Sequence, residues 1–375
     1  MDMKRKAWAL ACATALSCGM AGASHAAVIS NGTIWLGVNE DGSLNDSAGA
    51  RPAGSYQDYG IGVFDSRTLW EATYDGCTCE NWGVSGLGYA AWADSNSGGI
   101  QAQWNTGISI GGFTFNGSTA TSVVNIVDQL SNPFLQVVHE FVPSATADLY
   151  KVNVYIKNVG TQTVDDLLYR RSMDWDIEPT PFNEYVTIGG VRDAAGNLHP
   201  NIAYSSDNGF ANGNPLSYAG WINSGTELQN FEDSGPADHG AVFNFKFDPL
   251  EVGDTQQFSI FYGAALSEAA AHEALAKVGA EIYSFGQAFD SADGGPGNPS
   301  SGYSTDRSTF IFAFDIDNDG STFDLPILPT TIESGRTLRD RSRLCERLHL
   351  RAVRRSARRL FRLAGTGGSG RSGRL

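Results

Sequence analysis

Short runs of alternating apolar and polar residues, separated by clusters of Gly, Asn, Asp and Ser, recur along most of this 375-residue chain. Val152, Val154 and Ile156, for example, alternate with polar or amphipathic neighbours. Because successive strand side chains point to opposite faces, the pattern predicts half-buried strands, and their number favours an all-β fold, a large antiparallel β-sandwich. The predicted strands are 33–38, 60–64, 109–115, 122–129, 134–142, 151–158, 166–171, 185–188, 242–247, 256–264 and 309–314.

One hairpin and one helix are the clearest local elements. The segments KVNVYIKN and VDDLLYRR flank the polar stretch VGTQT, which predicts a hairpin over 150–171. An amphipathic helix is expected near 267–282, because Ser267 can cap it, Glu268 suits its first turn and Gly279 is a plausible stop. Its predicted apolar face consists of Ala271, Leu275, Val278 and Ile282.

The N-terminal segment 1–26 has the organisation of a secretory signal peptide. Three basic residues at 4–6 precede an Ala-rich apolar run that ends in the sequence SHA. Small residues at the −3 and −1 positions predict cleavage before Ala27. We therefore expect a secreted or cell-surface protein, exported as in Gram-negative bacteria.

The C-terminal segment 331–375 differs abruptly from the rest. Residues 336–375 hold 13 arginines, no lysine and two carboxylates. One interpretation is a basic, disordered arm for nucleic acid or membranes. The missing lysine, the sudden change and the Gly/Arg/Ser-rich end weigh against it. The other is a terminus read out of frame from GC-rich DNA, in which the correct frame turns 343–364 into an apolar anchor.

Charge limits the partners of the intervening segment 27–330, which we expect to form one β-sandwich domain. It carries 10 Lys and Arg against 37 Asp and Glu, a formal net charge of −27. Such a surface repels nucleic acid and anionic membranes and favours cations. We therefore expect no nucleic-acid partner, and membrane attachment only through a lost C-terminal anchor.

The stretch 167–188 combines arginines, carboxylates and a tryptophan. Asp174, Asp176 and Glu178 occupy alternate positions, so an extended strand would place them on one face. They are candidate catalytic residues, because neighbouring carboxylates can divide acid and base roles as in glycosidases. They could equally hold Ca²⁺, or form a structural ion network in which arginines pair with Asp165, Asp166 or these acids. Candidate binding residues here are Arg170, Arg171, Trp175 and Glu184.

The sequence DIDNDG begins like a calcium-binding loop. Asp315, Asp317 and Asp319 stand at positions 1, 3 and 5, but Pro326 replaces the acid required at position 12 and Asp324 lies at position 10. These four aspartates are candidate metal ligands, with a solvated acidic turn as the alternative. Calcium is the only cofactor that the sequence suggests.

Two cysteines remain once the predicted signal and the tail are set aside. Cys77 and Cys79 are expected to form a disulfide after export, with a thiol pair or half of a metal site as alternatives. Trp70 and Trp82 lie nearby. They are candidates for stacking on sugar rings, although aromatic residues at such positions belong more often to the core.

Several longer strings resemble a known family. They are TYDGCTCENWGVS, KNVGTQTVDDLLYRRSMDWDIEPTPFNEYVTI, SIFYGAALSEAAAHEAL and AEIYSFGQ. Over roughly 34–314 the chain resembles the exported β-rich domain of bacterial PEP-CTERM proteins. The resemblance implies export to the cell surface or matrix, and a C-terminal Pro-Glu-Pro sorting motif that is absent here. The strand-rich texture is also similar to that of galactose-mutarotase-type sandwiches.

These observations lead to two main functional hypotheses, with a surface-bound metal-ion module as a third. The first is an exported, non-catalytic cell-surface or extracellular-matrix protein, with calcium as a candidate stabilising ion. The second is a secreted glycan-binding protein, or a hydrolase or lyase acting on polysaccharide, that uses Asp174, Asp176 and Glu178. Extracellular polysaccharide or the cell-surface matrix is the expected partner in either case.

Overall fold

Antiparallel strands make up most of the computed structural model, which describes residues 26–44, 61–64, 69–73, 80–94, 99–102, 107–290, 295–296 and 309–318. The predicted all-β fold is thereby confirmed. In chain order the elements are β1 (Ala26–Ser30), β2 (Ile34–Asn39), β3 (Ile61–Phe64), β4 (Leu69–Glu71), β5 (Glu80–Gly86), β6 (Tyr89–Asp94), β7 (Gly99–Ala102), β8 (Gly107–Asn116), β9 (Thr119–Val127), β10 (Pro133–Pro143), β11 (Leu149–Asn158), β12 (Leu168–Trp175), β13 (Glu184–Gly189), β14 (Ile202–Ser206), β15 (Phe231–Ala237), β16 (His239–Lys246), β17 (Thr255–Ala265), α1 (Glu268–Val278), β18 (Ile282–Gln287), β19 (Phe289–Asp290), β20 (Gly295–Pro296) and β21 (Thr309–Asp315).

Two large sheets form the body of the sandwich. The nine-stranded sheet has the order β15-β13-β18-β21-β17-β11-β10-β9-β8, and the six-stranded sheet has the order β14-β16-β12-β5-β6-β7. Smaller sheets contain β1-β2-β3-β4 and β19-β20. Paired strands run antiparallel throughout these four sheets.

The main core lies between the two large sheets. Phe243 of β16 packs against Phe314 of β21, with ring centroids 5.3 Å apart. Tyr169 of β12 meets Phe258 of β17 at 5.0 Å. Aromatic rings of this size bury a large apolar area, so these contacts hold the two layers together.

The prediction of a hairpin over 150–171 is wrong. β11 pairs with β10 and β17 in the nine-stranded sheet, whereas β12 pairs with β5 and β16 in the six-stranded sheet. The polar segment between them therefore crosses from one layer to the other. Local alternation cannot distinguish a hairpin turn from such a crossing, because both join two amphipathic strands through a short polar stretch.

The predicted helix is present as α1, with shorter bounds. Ser267 Oγ accepts a hydrogen bond from the N–H of Ala270, and Gly279 ends the helix in the left-handed region at φ 72°. Ala271 and Leu275 pack on the outer face of the nine-stranded sheet. Ile282, which we assigned to the apolar helix face, belongs to β18, because the chain reverses its course after Gly279.

The two edges of the nine-stranded sheet are irregular. On β8, a register shift lies between Ile110 and Gly112. On β15, the pairing with β13 shifts register twice, and Pro236 supplies no N–H. Both edge strands thus interrupt the regular ladder of backbone hydrogen bonds.

Contacts divide the chain into Met1–Pro326 and Ile327–Leu375, and every described residue belongs to the first unit. No helix in the described ranges is long and apolar enough to cross a bilayer. Most of the predicted signal 1–26, the tail 331–375 and the predicted disulfide at Cys77 and Cys79 lie outside the described residues.

Candidate metal centre

Strand β12 carries two of the predicted acids into the protein interior. It lies between β5 and β16, and its residues from 169 to 175 are all buried. Asp174 is opposite Gly240 of β16. The chain leaves the sheet at Asp176, whose backbone N–H donates to the carbonyl of Ala72 at 2.8 Å. The two carboxylates are therefore placed at the end of a central strand.

Asp174, Asp176 and Asp238 form an acidic cluster. One carboxylate oxygen from each residue lies within 4.8 Å of the others. Asp174 and Asp176 are buried, while Asp238 precedes β16 and is partly exposed, so the cluster borders solvent. Two oxygen ligands on opposite sides of a calcium ion lie about 5 Å apart, since each bond measures ~2.3–2.6 Å. The spacing suits one divalent cation, and these residues could hold a metal ion.

Glu184, the first residue of β13, interacts electrostatically with two members of this cluster, Asp176 and Asp174. Its side chain is fully buried. Oε1 accepts a hydrogen bond from the N–H of Ile177 at 3.1 Å, whereas Oε2 has no hydrogen-bond partner in the described part of the chain. Burial, followed by the negative charges of Asp176 and Asp174, raises the pKa of Glu184 to about 10. A proton or a cation would satisfy such an oxygen.

The pKa of Asp174 is also raised. Burial is the main cause and the charge of Asp238 adds to it, so that the pKa of Asp174 lies at about 8. Because the pKa values of Asp174 and Glu184 are both raised above 7, the protonated forms of these two carboxyl groups are favoured at pH 7 in the absence of a cation. A bound cation would replace these protons, because metal ligation requires the ionised carboxylate.

His239 connects this cluster to the loop after β14. Its Nδ1 lies 3.0 Å from Oδ2 of Asp207, and its Nε2 lies 3.3 Å from the carbonyl oxygen of Glu184. Both partner atoms are oxygens that can accept a hydrogen bond from the ring. Burial alone would raise the pKa of Asp207, but the hydrogen bonds from His239 and from three backbone N–H groups lower it.

Glu178, the third predicted catalytic residue, is not part of the cluster. β12 ends at Trp175, so the alternation that would have aligned Glu178 with Asp174 and Asp176 stops before it. Its Oε2 instead accepts a hydrogen bond from the N–H of Glu71 at 3.0 Å. This contact attaches the segment after β12 to the small four-stranded sheet.

The two predicted binding arginines have structural partners. Arg171 forms a fully buried salt bridge with Glu80 of β5, and its Nη2 donates to the carbonyl of Gly42 at 3.0 Å. Arg170 Nε donates to Oδ1 of Asn244 at 2.6 Å. The expected pairing with Asp165, Asp166 or the acids of 174–178 is therefore wrong, since both arginines reach partners distant in sequence.

Two of the three candidate binding tryptophans lie in the core. Trp82 and Trp175 are fully buried, so neither can stack on a sugar at the surface. Trp82 Nε1 donates to the carbonyl of Asp41, and Trp175 Nε1 donates to Oγ of Ser284. Trp70 lies in β4.

A second acidic cluster contains two residues of the predicted calcium loop. Asp315 and Asp317 are joined by Glu281, with ligand oxygens within 4.8 Å of one another. Burial, then the charges of Glu281 and Asp317, raises the pKa of Asp315 to about 6. However, Glu281 already accepts hydrogen bonds from His199 and from the N–H of Ile316. Asp319 and Asp324 of the predicted loop lie outside the described residues.

Sequence reasoning missed Asp238 and His239, and it assigned Glu184 without a metal-binding role. Asp238 and His239 adjoin each other at the start of β16, more than 60 positions after Asp174. No local spacing indicates that the three residues meet, because the pairing of β12 with β16 alone brings them together.

No protein-family model matches the chain, and no curated protein is significantly similar to it in sequence. One similar solved structure is described as a galactose mutarotase-related enzyme from Lactobacillus acidophilus. The match has 9% sequence identity and a TM-score of 0.27, and it covers 78% of this chain and 98% of that one. A likeness at this level carries no argument about function.

Proposed function

We propose that the protein is an exported, non-catalytic protein of the bacterial cell surface or extracellular matrix, and that calcium stabilises its β-sandwich. Asp174, Asp176, Asp238 and Glu184 are the proposed ligands. One observation carries the calcium proposal: carboxylate oxygens of Asp174, Asp176 and Asp238 lie within 4.8 Å of one another. Buried Glu184, whose Oε2 has no hydrogen-bond donor in the described part of the chain, is near enough for the charges of Asp176 and Asp174 to raise its pKa. Export is supported by the signal-like segment 1–26 and by the resemblance to PEP-CTERM domains.

The ligand chemistry favours calcium over softer metals. All four proposed ligands supply carboxylate oxygens, and such hard donors suit Ca²⁺ and Mg²⁺ better than zinc or copper. Calcium also accepts six to eight ligands in flexible geometry, which suits acids drawn from three separate chain segments. Extracellular calcium modules commonly bind with dissociation constants of about 10⁻⁴–10⁻³ M, and we expect this range.

A second candidate is a secreted enzyme that acts on polysaccharide. The raised pKa of Asp174, about 8, favours it, because a buried carboxylic acid beside another carboxylate can act as a general acid. In that reading Asp174 donates a proton and Asp176 is the neighbouring carboxylate. Glu178 has no role in it, since its carboxylate bonds to the backbone of Glu71.

Thermal unfolding of metal-depleted protein, with and without calcium, tests the first proposal. Calcium at about 100 times its dissociation constant would stabilise the fold by about 2.7 kcal/mol. Asp176→Asn should abolish most of this increment, whereas the control Asp165→Asn, at an exposed position, should retain it. Equal calcium responses in the wild type and Asp176→Asn would refute the site.

Turnover assays on the same variants separate the two candidates. If the protein is an enzyme, wild type releases reducing sugar or unsaturated product from a polysaccharide, and a folded Asp174→Asn variant does not. If it is a calcium-stabilised surface protein, neither variant nor wild type releases product.

A further inference from the structure

The loop 207–228, between β14 and β15, exposes an unusual number of apolar side chains. Of the eleven large hydrophobic side chains that are exposed in the described part of the chain, five lie in this loop. Tyr218 is 77% exposed and Trp221 is 49% exposed. Large apolar groups concentrated at one surface commonly mark an interaction site. The five residues are Phe210, Leu216, Tyr218, Trp221 and Ile222.

Buried polar side chains of the six-stranded sheet hold the first half of this loop. Arg170 donates from Nη1 to the carbonyl of Asn212 at 3.0 Å and from Nη2 to that of Ser217 at 2.7 Å. Asn244 Nδ2 donates to the carbonyl of Pro215 at 3.0 Å. Arg170 is thus a positioning residue for the loop. Its charged guanidinium group forms strong hydrogen bonds to the loop carbonyls and so fixes the conformation of the loop backbone.

The second half of the loop is held by Asp207. Its carboxylate accepts hydrogen bonds from the N–H groups of Ile222, Asn223 and Ser224 at 2.9, 2.8 and 2.6 Å. These donors directly follow Trp221 in the chain. The backbone that presents the indole is therefore fixed before any ligand binds, which lowers the entropic cost of binding.

The ring of Tyr218 is also fixed while most of it faces solvent. Its hydroxyl donates to Oε1 of Glu227, and its ring meets the edge of Tyr204 at a centroid distance of 6.0 Å and an interplanar angle of 72°. The hydroxyl of Tyr204 in turn donates to the carbonyl of Gly220 at 2.8 Å. Two aromatic side chains three positions apart are thus displayed from an ordered backbone.

We propose that this loop is a binding surface for a neutral polysaccharide, with Tyr218 and Trp221 stacking on sugar rings. Aromatic faces carry partial negative charge and an apolar surface, and both attract the C–H face of a pyranose. Exposed Asn212 and Asn223 in the same loop supply polar groups for sugar hydroxyls. This surface contains none of the proposed calcium ligands, so the two proposals rest on different observations.

Charge and size favour this ligand over the alternatives. The net charge of −27 on residues 27–330 opposes an anionic glycan, nucleic acid or membrane. The exposed apolar surface of the loop is also confined to five side chains, a small patch for a protein partner. A neutral chain of sugars requires neither a large apolar area nor an opposite charge.

Affinity electrophoresis of the full chain through gels containing a neutral β-glucan, a galactomannan or a xylan tests the proposal. Binding to at least one polysaccharide is expected, and Trp221→Ala and Tyr218→Ala should each weaken it at least fivefold. Phe115→Ala is the matched control, because Phe115 is an equally exposed aromatic residue on β8, and it should bind like the wild type. Circular dichroism checks that each variant is folded.

Three outcomes would overturn the proposal. The first is that none of the polysaccharides retards the protein. The second is that folded Trp221→Ala binds as well as the wild type. The third is that the wild type sediments as a dimer and Trp221→Ala does not. Failure of the calcium proposal is distinguishable, because Asp176→Asn and the wild type would then show equal calcium responses whether or not glycan binding is seen.

Discussion

His239 lies between Asp207 and Glu184, with its Nδ1 3.0 Å from the carboxylate of the first and its Nε2 3.3 Å from the backbone carbonyl of the second. One imidazole therefore joins the exposed aromatic loop to the acidic cluster. Gly209 of the same loop reaches the cluster as well, since a Cβ at that position would lie 2.6 Å from Cα of Asp174. The loop and the proposed calcium site are thus held by common residues.

The stabilisation by calcium should increase with pH. The pKa values of Asp174, about 8, and Glu184, about 10, are raised in the folded protein, so their protonated forms stabilise it at low pH. Without metal, this contribution to stability is lost as the pH rises from the pKa values of the unfolded state, near 4, through the pKa values of the folded state. Calcium binds the ionised groups, and the increment in melting temperature should therefore grow from pH 5 to pH 9. An increment independent of pH would contradict the assignment of these ligands.

Glu184→Gln should stabilise the metal-free protein above pH 7. The amide oxygen can still accept the hydrogen bond from Ile177, and the variant no longer has to bind a proton in the folded state. We expect the free energy of unfolding to rise by about 1 kcal/mol at pH 8, the equivalent of one pKa unit. The calcium response should also be weaker. Urea unfolding at pH 5 and pH 8 measures this, with exposed Glu251→Gln as the control. Lower stability of Glu184→Gln at pH 8 would argue against the raised pKa of Glu184.

Removing one partner of the Arg171–Glu80 pair should be more harmful than removing both. Both side chains are fully buried, so Arg171→Met leaves an uncompensated carboxylate and should cost about 3–5 kcal/mol. The double variant Arg171→Met/Glu80→Met should be less destabilised than Arg171→Met alone. Urea unfolding of the single and double variants gives the coupling, with exposed Lys246→Met as the control. Additive losses would show that the pair is not coupled.

Asp207→Asn should destabilise the aromatic loop and change the pH dependence of stability. The wild-type carboxylate receives three backbone N–H donors and His239, and losing its charge should cost about 2 kcal/mol. Because the folded pKa of Asp207 is lowered, its contribution is present above the unfolded pKa near 4 and is lost as pH falls further. The difference from wild type should be constant from pH 5 to pH 8 and shrink below pH 4.

Fluorescence of the protein and the exposed Asp165→Asn control complete that test. Trp221 should become more solvent-exposed in Asp207→Asn, which shifts the emission to the red. A difference that persists unchanged to pH 2 would show that the charge of Asp207 is not responsible.

Strand-forming segments and the helix could be predicted from local patterns. The alternation of Val152, Val154 and Ile156 describes a strand with one buried face, and Ser267 and Gly279 mark the helix ends through capping physics alone. Partners of strands could not be predicted in this way. β11 and β12 are neighbours in sequence but lie in different sheets. Packing between the two layers, which local patterns do not encode, determines this arrangement.

The candidate site was predictable only in part, for the same reason. Asp174 and Asp176 were found because they share one strand end, whereas Asp238 reaches them through the pairing of β12 with β16. Arg170 and Arg171 attracted attention as binding residues because they are rare cations in an acidic chain. The structure gives both arginines a structural role instead, since each is buried and donates hydrogen bonds to acceptors within the fold.

The interrupted edges of the nine-stranded sheet bear on how such a protein behaves at high local concentration. A regular edge strand is a template on which a second copy can add its own strand. The shift beside Gly112 on β8 and the absence of an N–H at Pro236 on β15 interrupt that template at both sides. Strand addition by a second copy is thereby disfavoured at either edge of this sheet.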